Sequence, residues 1–317
     1  MYRKSGLKNN NKFAHFKRID KILRYRGISR SRHNKIRLDH NERISKIEDY
    51  FLKKIKNKIN SEYLTTYPET EQLYDLFAKK FKLHRDNFVL TAGSDIAIRN
   101  CFELLIKPKD RIITLNPTYG MIDVYSKLFD ANEIKIKFNN KLELQINELV
   151  KKINLKTKLI VIANPNSPTG TIINKKQIYE ILNKAKKMNC YVLFDEAYYG
   201  FCNQTVLSYL DKFSNLIIAR TFSKAYGLAG CRVGYIVTNK NLSKKLYKFR
   251  PMYEISSISV LIIKEILKND GIIKKYIQET IKGRKFLEKN LIELGFSYYK
   301  TYSNFLLVNF NEKKVYS

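Results

Sequence analysis

The chain has 317 residues, 44% of them hydrophobic, which is enough to bury a core and to form a large and a small domain. Its 60 lysines and arginines outnumber 29 acidic residues and give a net charge of +31, but they are spread evenly and favour no nucleic-acid site. No apolar run is long enough to span a membrane, and the basic N-terminal segment lacks the apolar stretch of a secretory signal, so we expect a cytoplasmic protein.

Beyond this basic arm (residues 1–36), apolar β-rich runs alternate with helical patterns. The alternation predicts an α/β fold in which a mainly parallel, seven-stranded sheet carries helices on both faces. The strands are predicted at 88–91, 111–115, 134–138, 159–163, 191–194, 216–219 and 233–237. Polar motifs follow several of them, and open α/β sheets bind ligands beyond the carboxyl ends of their strands.

After residue 238 the pattern changes to long helices. A helix is predicted at 273–294, with Gly295 placed to end it. One face of this helix is apolar and is expected to pack in the core; it consists of Ile273, Ile277, Ile281, Leu287, Leu291 and Leu294. A last strand at 305–310 is expected to begin a second, small sheet.

The most specific motif is TFSKAYGLAGCRVGY, residues 221–235, which joins two predicted strands. Lys224 offers a primary amine that can form a Schiff base once it loses its charge in a partly dry site. The planar guanidinium of Arg232 matches a phosphate at two points. All four histidines precede residue 85, so this region has none for a serine–histidine pair or a metal site.

Three further motifs follow predicted strands. Asp195 opens DEAYYG, a place where a helix cap is the ordinary interpretation. NPNSPTG, residues 164–170, has the composition of a tight loop. TAGSDIAI, residues 91–98, puts Ser94 at a helix start, where it is either an ordinary cap or part of a phosphate site.

Together and in this order, the motifs resemble the fold-type I enzymes that use pyridoxal 5'-phosphate (PLP). In detail the chain is similar to the histidinol-phosphate aminotransferase branch of the class I/II aminotransferases, over roughly residues 37–310. The resemblance implies that Lys224 carries PLP as an internal aldimine and that Ser223 and Arg232 hold its phosphate. It assigns Asp195 to the pyridine nitrogen, where a carboxylate keeps that nitrogen protonated.

The resemblance also assigns groups around the phenolic oxygen of PLP. Tyr198 is one of them. The family's second group is an asparagine directly before the second proline of the loop, and here that place holds Ser167. Either Asn166 reaches in from one position earlier, or Ser167 forms a weaker hydrogen bond.

By the same resemblance, Ser94 and Asp95 lie at the phosphate. Tyr119, in the segment PTY, stacks on the pyridine ring. Tyr67 reaches the phosphate of the neighbouring subunit, which implies a homodimer. The implied domains are a small domain formed by 37–66 and 241–317 and a large PLP-binding domain at 67–240; no metal is expected.

The chain departs from the family at two places. LDHNE, residues 38–42, matches a family segment, but Arg43, Ile44 and Ser45 replace the proline and tyrosine that usually follow. The family's carboxylate-binding arginine lies beyond the matched C-terminal strand. Either the small domain is truncated and lacks this arginine, or a cation such as Arg250 or Arg284 substitutes for it.

The expected activity is transfer of an amino group between an amino-acid or amino-phosphate donor and a 2-oxo acid. One alternative is a PLP-dependent decarboxylase of the threonine-phosphate type, which shares nearly all of these motifs. Others are a truncated PLP-binding protein with little turnover and a basic nucleic-acid-binding protein.

Overall fold

The computed structural model describes residues 19–20, 22, 32 and 35–310. Most of the predicted basic arm and the last seven residues lie outside these ranges. The central feature is a seven-stranded sheet in the order β1-β7-β6-β5-β4-β2-β3. Only β7 runs antiparallel to its neighbours, so the predicted α/β fold with a mainly parallel sheet is confirmed. The strands are β1 (Phe88–Thr91), β2 (Arg111–Asn116), β3 (Asn132–Lys137), β4 (Thr157–Ala163), β5 (Tyr191–Asp195), β6 (Leu216–Thr221) and β7 (Gly234–Thr238).

Helices cover both faces of the sheet. They are α1 (Asp49–Lys58), α2 (Glu62–Thr65), α3 (Glu71–Phe81), α4 (Ser94–Leu105), α5 (Gly120–Leu128), α6 (Ile146–Lys152), α7 (Lys175–Lys187), α8 (Lys240–Phe249), α9 (Ser257–Leu267) and α10 (Asp270–Glu293). None of the helices in the described ranges is both long and apolar enough to cross a membrane.

Alternate residues of β4 divide the core into two layers. Leu159 and Val161 belong to the layer that includes side chains of α4 and α5. Ile160 and Ile162 belong to the opposite layer, with side chains of α3, α7 and α9. Because successive side chains of a strand point to opposite faces, a nearly continuous apolar run is the pattern of a strand buried on both sides.

The long C-terminal helix begins and ends close to its prediction. It spans Asp270–Glu293, and Gly295 follows it with a φ of +79°, a conformation that suits glycine. The expected core packing is right for Ile273, which is 8% exposed, but wrong for Leu287 and Leu294, which are 48% and 71% exposed. The apolar spacing marks one face of the helix, but burial requires a partner along its whole length.

A small antiparallel sheet follows α10, formed by β8 (Ser297–Tyr299) and β9 (Leu307–Asn309). The strand predicted at 305–310 is therefore present, in a shorter form. The division of the chain into large and small domains at the predicted boundaries stays a prediction.

Candidate active site

The site lies at the carboxyl edge of the sheet. A cavity of about 140 Å³ there is lined by Lys224, Asp195, Tyr198, Ser223 and Arg232, together with Ser94, Asp95 and Tyr119. Strands β5 and β6 end beside each other in parallel, which brings Asp195 close to the loop that carries Lys224. The parallel order thus joins motifs that are far apart in the sequence.

One end of the cavity is built to hold an anion. Helix α4 starts there at Ser94, and Nη1 of Arg232 donates to Oγ of Ser223 at 3.2 Å. Gly93, with a φ of +92°, leaves room for the guanidinium, because a Cβ at this position would lie 2.7 Å from Nη2 of Arg232. Free amides at a helix start, a hydroxyl and a guanidinium together match a phosphate.

Lys224 lies inside the site and is held by the N-terminal segment. Its Nζ donates to the backbone oxygen of His40 at 2.6 Å. Burial lowers the pKa of this amine, while the nearby carboxylates of Glu42 and Asp195 act in the opposite direction. A lowered pKa increases the fraction of neutral amine, which is the nucleophilic form.

Asp195 is 4% exposed and accepts a hydrogen bond from the backbone N–H of Ala197 at 3.1 Å. Burial, aided by the charges of Asp95 and Glu196, raises its pKa to about 7. One backbone donor does not compensate for burying this charge. The carboxylate therefore favours a cationic partner in the cavity, such as a protonated ring nitrogen.

Tyr198 is buried beside Asp195, and its hydroxyl accepts a hydrogen bond from Nδ2 of Asn41 at 3.0 Å. Burial raises the pKa of its phenol, so the hydroxyl stays protonated near neutral pH. Of the two loop residues considered from the sequence, Ser167 lines the cavity. The side chain of Asn166 is 2% exposed and bonds within the loop and to the PTY segment.

Tyr119 and Asp95 lie on the other side of the cavity. Oδ1 of Asp95 accepts a hydrogen bond from the hydroxyl of Tyr125 at 3.0 Å and approaches that of Tyr119 at 3.5 Å. These two tyrosine hydroxyls occupy one oxygen of the Asp95 carboxylate, which also lines the cavity. The N-terminal amides of α4 remain the groups that suit an anion here.

Three other sequence candidates lie outside this cavity. Tyr67 is 72% exposed and stacks on Tyr253, with ring centroids 4.0 Å apart. The guanidinium of Arg250 lies over the ring of Tyr247, 4.4 Å from its centroid. Arg284 lines a separate cavity of about 490 Å³, which Asn41 also lines, and donates to the backbone oxygen of Ser303.

A family model described as aminotransferase class I and II matches residues 34–315. The chain belongs to this family. The match confirms the predicted aminotransferase activity and PLP as its cofactor.

Several curated relatives are named histidinol-phosphate aminotransferase. The aminotransferase is 32% identical over 280 residues to a histidinol-phosphate aminotransferase of Caldanaerobacter subterraneus subsp. tengcongensis, covering 87% of this chain and 79% of that protein. It is 33% identical over 286 residues to one from Clostridium novyi, covering 88% and 78%. It is 30% identical over 314 residues to histidinol-phosphate aminotransferase 2 of Carboxydothermus hydrogenoformans, covering 96% and 84%.

Solved structures share the fold at low sequence identity. The histidinol-phosphate aminotransferase of Sinorhizobium meliloti, in complex with pyridoxal-5'-phosphate, has a TM-score of 0.79 and 20% identity, covering 86% of this chain and 75% of that one. The Clostridium acetobutylicum enzyme of the same name has a TM-score of 0.75 and 23% identity, covering 84% and 80%. Aspartate aminotransferase from Thermus thermophilus, with maleate, has a TM-score of 0.75 and 18% identity, covering 84% and 75%.

The chemical groups that line the cavity of this aminotransferase match those that PLP requires. The cavity has an amine for the aldehyde, an anion cradle at one end, a buried carboxylate for the pyridine nitrogen and hydroxyls for the phenolic oxygen. Within the described ranges, no group of three or more His, Cys, Asp and Glu side chains is arranged to hold a metal ion.

Sequence reasoning missed a buried ion pair beneath the site. Nε and Nη2 of Arg220 donate to Oε2 of Glu196 at 2.9 and 2.8 Å, and both side chains are at most 2% exposed. The other carboxylate oxygen accepts from the backbone N–H of Val206 at 2.7 Å. The pair joins the end of β5 to β6, four residues before Lys224. A lone arginine in the apolar strand LIIART was the available signal, since a buried charge requires a partner.

Proposed function

We propose that this aminotransferase takes its amino group from a phosphorylated donor, with histidinol phosphate as the first candidate, and passes it to a 2-oxo acid. The names of the curated relatives support the donor. The net charge of +31 favours approach of an acidic substrate. The main support for the proposed reaction is that the Lys224 amine lies in one cavity with a buried carboxylate and groups that suit an anion.

Each side chain of the cavity has a proposed task. Ser223, Arg232 and the amides at the start of α4 bind the cofactor phosphate. Asp195 holds a proton on the pyridine nitrogen by charge pairing, and Tyr198 donates to the phenolic oxygen. Tyr119 covers the ring face. When bound, PLP supplies a ring that withdraws electrons from the substrate Cα.

Lys224 has two proposed tasks. Its amine attaches the cofactor and is released when a substrate amine replaces it. The free Nζ then moves a proton between the substrate Cα and the cofactor carbon, as a general base and acid. The lowered pKa of this amine suits the role, because a base has to be neutral before it accepts a proton.

The first experiment tests attachment. The protein is mixed with PLP, reduced with borohydride and analysed by peptide mass. We expect one adduct, on the peptide with Lys224, and its loss in Lys224→Ala. Lys245→Ala, which removes an exposed lysine on α8, is the matched control and should keep the adduct. Label spread over surface lysines would overturn the proposed site.

The second experiment tests the donor. Histidinol phosphate and histidinol, which lacks the phosphate, are compared with 2-oxoglutarate as acceptor. We expect at least about a tenfold higher kcat/KM with the phosphate, since a site built for a charged group discriminates strongly against its absence. Equal rates would overturn the phosphorylated donor. The decarboxylase alternative is tested separately with threonine phosphate, which carries the carboxylate that histidinol phosphate lacks; release of CO2 from it without amino transfer would indicate a decarboxylase.

We also propose that the active unit is a homodimer in which Tyr67 reaches the partner's cofactor phosphate. Tyr67 belongs to an exposed apolar patch with Tyr253 and Met252, which are 72%, 50% and 74% exposed. A patch of this kind favours a protein partner.

We also propose the cytoplasmic location that the sequence predicts. Fractionation of cells that express the chain tests it.

A mixing experiment tests the shared site. Lys224→Ala and Tyr67→Ala proteins are dissociated, mixed and reassociated. If Tyr67 acts across the interface, a hybrid dimer has one site with both residues intact, and activity returns to about a quarter of wild type with random pairing. If Tyr67 acts within its own chain, mixing restores nothing.

A further inference from the structure

The loop after β4 does not offer an amide to the cavity. Nδ2 of Asn166 donates to the backbone oxygen of Pro117 at 3.0 Å and to Oγ1 of Thr169 at 2.9 Å. Its Oδ1 accepts from Oγ1 of Thr118 at 2.8 Å. Both amide protons and the carbonyl are therefore used, and turning this side chain toward the cavity would break three hydrogen bonds, one of them buried and two partly buried.

Ser167 lines the cavity at the place where the family has an asparagine, and it brings one hydroxyl. A serine reaches less far than an asparagine and has one proton to donate. The cavity thus lacks an amide from this loop, and the hydroxyl of Tyr198 becomes the main donor on this side.

A different segment supplies an amide at this point. Nδ2 of Asn41 donates to the hydroxyl oxygen of Tyr198 at 3.0 Å, across 157 positions of sequence. Asn41 has a φ of +51°, a left-handed conformation that asparagine tolerates well. Its backbone oxygen accepts from Nδ2 of Asn304 at 3.0 Å, and the preceding residue, His40, accepts from Lys224. The residue is therefore held in place from two sides.

The hydrogen bond from Asn41 changes what Tyr198 can do. Nδ2 of Asn41 occupies one lone pair of the hydroxyl oxygen, so the hydroxyl proton is not directed at Asn41 and is available to an acceptor in the cavity. Hydrogen bonds in a chain also strengthen one another, so Tyr198 becomes a better donor. The other groups near this tyrosine are the carboxylate of Asp195, the hydroxyl of Ser167 and Nζ of Lys224, 5.7 Å from the ring centroid.

We propose that Asn41 is a positioning residue that provides, from the N-terminal segment, the amide missing at position 167, and that it does so by aiming the hydroxyl of Tyr198 at the phenolic oxygen of PLP. The inference rests on the proposed function of this cavity. It assigns Asn41 a role through Tyr198, with no required contact to the substrate.

The test uses Asn41→Gly, because glycine keeps the left-handed backbone while removing the amide. Two properties of the PLP-loaded protein are measured, the dissociation constant of PLP and the pH midpoint of its visible absorbance change. A weaker hydrogen bond from Tyr198 leaves more negative charge on the phenolic oxygen of PLP. This charge holds the proton on the nitrogen that joins Lys224 to PLP more tightly. We expect a dissociation constant about fivefold higher and a midpoint about half a pH unit higher.

Three further comparisons make the test specific. Asn189→Gly makes the same change at a φ of +52°, in the exposed turn before β5, and should leave both properties unchanged. Ser167→Asn added to Asn41→Gly should restore both values toward wild type, since it returns an amide to the cavity. In a Tyr198→Phe background, Asn41→Gly should have no further effect on the midpoint.

The outcomes separate this inference from the proposed function. A wild-type protein that binds PLP on Lys224, with Asn41→Gly unchanged or matched by Asn189→Gly, overturns the role of Asn41 alone. A shift of the same size in the Tyr198→Phe background also overturns it, because Asn41 would then act by another route. A wild-type protein that takes up no PLP overturns both.

Discussion

The carboxyl edge of the sheet and the outer half of α10 (residues 283–293) differ sharply in packing. At the sheet edge, Arg220, Asp195 and Ser223 are 2%, 4% and 7% exposed although all are polar. In the outer half of α10, Phe286 and Ile292 are 69% and 64% exposed although both are apolar. Polar side chains are thus buried beside the cavity, where the proposed chemistry requires a dry and fixed environment, whereas apolar side chains are exposed on a part of α10 that the described residues leave largely uncovered.

The largest expected effect on stability comes from the ion pair beneath the site. Arg220→Leu should destabilise the protein by about 3–5 kcal/mol, because it leaves the buried carboxylate of Glu196 without its cation. On α10, Lys289 and Glu293 form an exposed pair, with side chains 76% and 58% exposed. Lys289→Ala should change stability by less than about 0.5 kcal/mol. Urea unfolding measures the free energy of unfolding of both variants. Equal losses of stability would contradict the expected difference between the buried and the exposed ion pair.

The next effect concerns Asp195 and depends on pH. Its pKa is raised to about 7 in the folded protein, from 3.8 in the absence of the fold, so the folded state binds this proton more tightly than the unfolded chain. The associated stability is fully present below about pH 4 and is lost as the pH rises through about 7. Without PLP, Asp195→Asn should be more stable than wild type by about 2–4 kcal/mol at pH 8.

The same variant should lose this advantage toward pH 4, where wild-type Asp195 is protonated in both states. Its activity should fall even though its stability rises, because an amide does not hold a proton on the pyridine nitrogen. Thermal unfolding of the cofactor-free proteins at pH 4, 6 and 8 measures the trend. An advantage that does not change with pH would show that burial of this carboxylate is not its source.

A third effect compares two glycines. Gly93→Ala places a methyl group 2.7 Å from Nη2 of Arg232 and strains a φ of +92°, so it should cost about 1–3 kcal/mol and weaken PLP binding about tenfold. Gly283→Ala lies in α10 with nothing within 4 Å of the added methyl group. It should raise stability by up to about 1 kcal/mol, since alanine favours a helix. Equal PLP affinity in Gly93→Ala would argue against the anion cradle.

The smallest effect is expected on the outer half of α10. Leu287→Ala, at a position 48% exposed, should cost less than about 0.5 kcal/mol. Ile273→Ala, near the start of the same helix and 8% exposed, should cost about 2–4 kcal/mol. Both substitutions remove three carbon atoms from an aliphatic side chain, and the two positions differ in burial. Similar costs would mean that the outer half is covered in the assembled protein.

Much of the fold and the composition of the cavity could be predicted from the sequence. Strands buried on both faces appear as short apolar runs, and motifs that follow such runs have to meet at one sheet edge when the strands are parallel. For this reason Asp195 and Lys224 could be placed near each other before the topology was known. The family motif then assigned the cofactor.

Other features depend on groups that are distant in the sequence. Whether Asn166 or Ser167 faces the cavity is decided by bonds to Pro117 and Thr118, which local pattern does not contain. The contact of Asn41 with Tyr198 arises because the N-terminal segment crosses the site. Periodicity predicts which face of α10 is apolar, but the tertiary structure decides how much of that face is covered. Sequence specifies local geometry and side-chain chemistry, whereas burial and hydrogen-bond partners are properties of the assembled chain.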